Sequence, residues 1–181
     1  MTTRSKTDAA ALTANKLGAL WTTLEEAMDP VLVKLSPSST ALLIWLYHWA
    51  PKGVVELARV VRLSQPACTR AVASLVKQGL VRKTIISGKQ IELHLTARGR
   101  LAAERMQLGR QQACASLLNT LTRTEREQLD QLLDKLLRAP VTDREYAMHV
   151  CRFCDHALCD GPACPIGCRA TELEREADVT S

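Results

Sequence analysis

Aromatic residues are scarce in this chain of 181 residues: three Trp, two Tyr and one Phe make up 3% of it. A core must therefore be assembled from Leu, Val and Ala, which points to helices, and the 46% hydrophobic content is enough to build one. Long apolar runs are missing too. The longest stretch without a charge, Leu35 to Pro51, carries Ser36, Ser38, Ser39, Thr40 and His48, and the N-terminus lacks a basic-then-apolar pattern. Neither a membrane span nor export is expected, and the expected location is the cytoplasm. Catalytic signatures are also absent. There is no Ser-His-Asp set, no Gly-rich phosphate loop and no paired carboxylates in a plausible cleft. His48, His94, His149 and His156 form no HExxH pattern, so an enzyme is not expected.

What is present is charge in one place. The net charge of +5 is modest, but residues 51 to 110 hold twelve Lys and Arg against Glu56, Glu92 and Glu104. Residues 1 to 50 balance, and residues 111 to 181 are net acidic. A basic block is often only a solvated face; it gains meaning if it coincides with an element that can meet phosphates.

Leu17, Leu20, Trp21, Leu24 and Met28 recur at three- and four-residue steps and predict a first amphipathic helix, closed by Pro30. Ser36-Pro37 opens a second, apolar nearly all round and hence buried, which runs to Pro51. A third spans about Val54 to Val61. Ser64 caps a fourth with Ala67, Ala71, Val72, Leu75 and Val76 inward, ended by Gly79 in a left-handed cap. Alternation over Val81 to Ile86 and over Ile91, Leu93 and Leu95 predicts two strands joined at Ser87-Gly-Lys-Gln90. A long helix follows from Thr96 to about Leu118. The capping box Thr122 to Glu125 starts another, with Leu129, Leu132, Leu133, Leu136 and Leu137 as a stripe before Pro140.

Helix, turn, helix, strand, wing and strand in that order make a winged helix-turn-helix. The expected fold is mainly α with a small two- to three-stranded β-wing. Four segments are expected: an N-terminal helix for dimerisation (1–35), the winged unit (36–100), C-terminal dimerisation helices (101–140) and a cysteine-rich tail (141–181). Helices flanking the unit at both ends have no evident partner within it, and a two-fold homodimer is the simplest way to bury their leucines. In such a unit the start of the second helix reaches base edges. Here Gln65, Pro66, Thr69 and Arg70 are placed at double-stranded DNA, with Gln65 suited to adenine and Arg70 to guanine. Ser64, Thr69, Ser74 and Lys77 are placed at the backbone, and Lys83 and Lys89 on the wing.

These residues resemble the MarR family of bacterial transcriptional regulators over about residues 10 to 140. The likeness rests on Glu56-Leu57-Ala58, Leu63-Ser-Gln-Pro-Ala67, Thr69-Arg70, Gly79-Leu80-Val81 and Leu95-Thr96 to Gly99, in order. It implies a homodimer on a pseudo-palindromic operator, usually a repressor, released by a small-molecule effector or an oxidant. One departure is the wing: the family's Asp-x-Arg is missing from the short Ile86-Ser-Gly-Lys-Gln90, so specificity rests more on Gln65 and Arg70.

The tail departs from everything before it. Cys151, Cys154, Cys159, Cys164 and Cys168 fall within eighteen residues, flanked by His149 and His156. Gly161-Pro162 and Pro165-Ile-Gly167 are expected to break helix between them. Three readings stand. Zinc held by Cys151, Cys154, Cys159 and Cys164, with Cys168 as an alternative or a spare, is the first. An iron–sulfur cluster is the second, since Cys164-Pro165 is similar to ferredoxin-type ligand runs. A metal-free redox thiol set is the third. Some MarR-like regulators have a similar four-cysteine tail. Cys68 and Cys114 are expected to be small core residues. The alternative to a regulator is a metal or redox sensor whose tail docks another protein, with DNA binding secondary.

Overall fold

The computed structural model describes residues 9–32, 35–50, 52–87 and 90–179. The order of elements among them is α1 (Ala9–Leu32), α2 (Pro37–Trp49), α3 (Val54–Val61), α4 (Gln65–Lys77), β1 (Val81–Ser87), β2 (Gln90–Leu95), α5 (Ala97–Leu118), α6 (Arg123–Arg138), α7 (Arg144–Val150) and α8 (Pro165–Val179). Short 3-10 turns lie at Cys151–Phe153 and Gly161–Ala163. No helix among the described residues is long and apolar enough to cross a membrane.

Helix starts follow local chemistry. Ser36, Ser64, Thr96, Thr122 and Asp143 each accept the backbone N–H three residues on, which satisfies a donor that the first turn leaves open. Thr122 and Glu125 complete a reciprocal capping box. At the end of α4, Gly79 takes φ 68°, with Gly79 N–H bonded to the Val76 carbonyl and Leu80 N–H to the Leu75 carbonyl. This left-handed cap turns the chain directly into β1.

The core is organised around α2. Its residues Ser39 to Leu46 are all buried, and Leu42, Leu43 and Leu46 meet Leu57 and Val60 of α3, Val72 and Leu75 of α4, and Leu93 of β2. The strands pair antiparallel from Val81↔Leu95 to Ser87↔Gln90, with a bulge between Ile85 and Ser87. An isolated bridge, Lys52↔Leu93, adds a third short contact to the wing. Gly99, in the first turn of α5, lies so close to Leu80 that a Cβ there would overlap the Leu80 carbonyl oxygen. Only glycine permits that approach of helix to strand.

Two expectations need correction. The first helix does not stop at Pro30 but continues to Leu32. Proline's φ is helical, and near a helix end it removes one N–H bond without forcing an exit. Pro165-Ile-Gly167 does not break a helix; it opens α8, because a proline in the first turn lacks only an N–H that would be unpaired anyway. The tail is thus largely helical, with its own small core of Val141, Ala147, Cys151, Cys164, Ile166 and Ala170. Finally, α3 ends on a left-handed residue that is not glycine: Arg62, at φ 51°, whose N–H caps α3 through the Ala58 and Arg59 carbonyls.

Candidate nucleic-acid interface and cysteine cluster

The two faces of α4 differ sharply. Cys68, Val72 and Leu75 are buried toward α2 and α3, and the Cys68 thiol donates to the Val54 carbonyl at 3.7 Å. Burial pushes the Cys68 thiol above its ordinary range, as suits a core residue. On the other face Gln65, Pro66, Thr69, Arg70, Ser74 and Lys77 are exposed, at spacings that put them in one helical stripe. Among the described residues, the side chains of Gln65, Arg70 and Lys77 make no hydrogen bond or ion pair. The hydroxyls of the stripe are partly engaged: Thr69 donates to the Gln65 carbonyl at 2.8 Å, and Ser74 accepts from the Gln78 amide at 3.2 Å. Ser64 accepts the Ala67 N–H at 3.4 Å, which leaves its own proton free to donate outward.

Lys83 stands exposed on β1, next to Arg82, whose guanidinium donates to Thr84 at 2.9 Å. Lys89 lies outside the described residues. The wing also exposes Ile85, Ile86 and Ile91, which strand alternation does not anticipate because only Leu93 and Leu95 of that face reach the core.

The tail packs on the winged unit through contacts invisible to sequence spacing. Gln107, buried in the middle of α5, sits 3.1 Å from the His48 ring of α2 and donates to the Cys154 carbonyl at 2.9 Å. Arg110 donates to the Phe153 carbonyl at 3.1 Å, and Gln111 to Asp155 at 2.8 Å. His149 of α7 donates from Nδ1 to the Val60 carbonyl at the end of α3, at 2.8 Å. The Arg62 guanidinium lies 5.6 Å from the Tyr146 ring. The His156 ring is packed by Trp45, His48 and Trp49, its Nε2 buried without a partner among the described residues. Burial, then the neighbouring His48, lowers its pKa.

Four of the five tail thiols come together. Cys151 and Cys164 are buried in the small core of the tail, and Cys154 and Cys159 pack against it. The neighbouring Cys151 thiol, aided by the Arg110 guanidinium, holds the Cys154 thiol down at about 6, whereas Cys154 and burial push Cys151 far up. Burial and the facing Cys164 and Cys154 push Cys159 up to about 12. Cys168 stands apart and donates to the Gly161 carbonyl at 3.4 Å. As the side chains stand, no group of three or more His, Cys, Asp and Glu among the described residues is arranged to hold a metal ion. Cys114 is half-buried on α5.

Comparison with known proteins places these features. The sequence model of the MarR family matches residues 35–87, from the start of α2 through β1. No curated protein matches the chain. Among solved structures, the YusO protein of Bacillus subtilis is 25% identical with a TM-score of 0.66, over 74% of this chain and 99% of that one. A MarR family protein of Bacillus stearothermophilus is 22% identical with a TM-score of 0.63, over 70% and 91%. MepR of Staphylococcus aureus, described as a transcription regulator of the multidrug efflux pump MepA, is 16% identical with a TM-score of 0.61, over 72% and 97%. A mutant of MepR bound to an oligodeoxyribonucleotide gives a TM-score of 0.57 at 16% identity, over 69% and 95%. Residues 35–87 thus match the MarR family, and the helices built around them give the fold of solved structures from that family, a winged helix-turn-helix.

Proposed function

We propose that the protein is a cytoplasmic transcription regulator that binds a pseudo-palindromic DNA site as a two-fold dimer, reading bases with Gln65 and Arg70. The observation that carries this reading is the outer stripe of α4. It is capped at Ser64, backed by Cys68, Val72 and Leu75, and presents Gln65, Arg70 and Lys77, whose side chains have no partner among the described residues. A long donor held by a rigid helix loses little freedom on meeting a base edge, which favours discrimination. Thr69 and Ser64 suit phosphate contacts, and Lys77, Lys83 and Lys89 add charge. The solved complex of the MepR mutant with an oligonucleotide supports the same use of the fold.

Exposed apolar side chains support the dimer. Leu17, Leu20 and Trp21 of α1, Leu108 and Leu118 of α5, and Leu132, Leu133, Leu136 and Leu137 of α6 all lie open to solvent. A second copy related by two-fold symmetry buries such stripes on both chains at once. Likeness to the family extends the reading to repression and to release by a small effector.

The test begins by selecting ligands for the full chain from a random duplex pool and measuring binding to the enriched site. Arg70→Ala is expected to weaken that binding by about tenfold to a hundredfold, the range of one lost bidentate base contact. Lys77→Ala is expected to lower affinity across sequences and reduce the salt slope by about one. A pool without enrichment, or equal binding by Arg70→Ala, overturns base reading by α4.

A further inference from the structure

The tail poses a problem of core size. Residues 141 to 179 bury only Val141, Ala147, Cys151, Cys164, Ile166 and Ala170 as a cluster, and two of those six are cysteines. So small an apolar set does not offset the ordering of two helices and two turns, and segments of this kind are commonly held by a metal or by disulfides. The tail cysteines are all free thiols.

Their arrangement is specific. Cys151 and Cys164 lie in this small core and Cys154 and Cys159 pack against it, so four thiols from three separate turns share one cluster. Cys164 Sγ also accepts the Gly167 N–H at 3.2 Å, and a Cβ at Gly167 would press on that sulfur at 3.2 Å. Backbone N–H donation to sulfur favours its thiolate form. The backbone around the C-x2-C pair is held in turn. Gln107 and Arg110 grip the Cys154 and Phe153 carbonyls. Four thiolates around a divalent cation leave a net charge of −2, and Arg110 beside Cys154 and Arg144 near Cys164 oppose it. A cavity of about 660 Å³ opens on Cys151, Cys159 and Cys164 between Trp49 and Arg144, which gives a metal access from solvent.

We propose that Cys151, Cys154, Cys159 and Cys164 are the ligands of a thiolate-bound metal centre, a zinc ion or an iron–sulfur cluster, and that filling it fixes α7 on the end of α3. Each thiol releases its proton to solvent as it ligates. The second half rests on the DNA-binding reading above. Its route is short: His149, two residues before Cys151, donates to the last turn of α3 at Val60, and Arg62 in the helix-turn-helix turn faces Tyr146 of α7. Metal loss frees α7, and with it the brace behind α3 and α4.

The full chain, purified without air from metal-replete cells, is assayed for zinc, iron and acid-labile sulfide and by visible absorption. About one zinc per chain with no visible band supports the ion, and about four irons with sulfide and a brown colour support the cluster. Cys154→Ser and Cys159→Ser are expected to lose the metal, while Cys168→Ser and Cys114→Ser keep it. Because a serine variant can also misfold, metal is stripped from the unaltered protein with a chelator and then restored. Amide exchange in α7 is expected to speed up and then return, and affinity for the selected DNA to fall by about tenfold or more and recover. Metal-free protein from replete cells, or equal loss in Cys168→Ser and Cys159→Ser, overturns the four-thiolate site. Metal removal that leaves DNA affinity unchanged overturns the coupling. A chain that holds metal but selects no DNA overturns the regulator reading and leaves the site standing.

Discussion

Helices α2 and α6 are both rich in leucine, yet they live in opposite surroundings. Eight consecutive residues of α2 are buried, so every face of it is covered by its own chain. In α6 no residue is buried, and Leu136 is 56% exposed. The patterns differ accordingly: α2 is apolar all round, whereas α6 carries its leucines as one stripe opposite Thr124, Glu127 and Gln131. A helix apolar on all sides is a core element, and one with a stripe in search of cover implies a partner. The winged unit is therefore covered by its own chain, whereas the flanking helices leave apolar stripes that the proposed dimer would cover.

The strongest way to break this contrast is to charge the stripe. Leu132→Glu with Leu136→Glu is expected to convert a dimer to a monomer in sedimentation experiments, with helix content intact; unchanged mass would mean the stripe faces nothing. The same operation on α2 attacks the fold itself. Leu43→Ala removes a fully buried side chain and is expected to cost about 2–5 kcal/mol in urea titration, with assembly lost only as a result of unfolding. A smallest, purely local change sharpens the comparison. Thr122→Ala removes one capping oxygen from α6 and is expected to cost about 1 kcal/mol or less of thermal stability, read as a small shift in Tm without loss of the dimer.

What could be read from sequence divides along similar lines. Ser36, Ser64, Thr96 and Thr122 announce their helices because a cap acts within three residues. The stripe of α4 is legible for the same reason, since helical spacing alone sorts Cys68 and Val72 inward and Gln65 and Arg70 outward. The cysteine spacing likewise singles out four thiols, all of which lie in or against the small core of the tail. Where the tail sits was not legible. Gln107 meets Cys154 across 47 residues and His149 meets Val60 across 89, and no periodicity carries such a pairing. Pro165 was misread because a proline marks both the end of a helix and the first turn of the next. Arg62 carried no signal for its left-handed cap; glycine or asparagine is the usual occupant.

The buried amide of Gln107 has a practical consequence for anyone who trims the protein. Cutting after Pro140 follows the apparent border between helices and cysteines, but it would strip the acceptor from Gln107 and uncover Trp45 and the tip of α3 in one stroke. A shortened version would behave as a damaged molecule rather than as an isolated module.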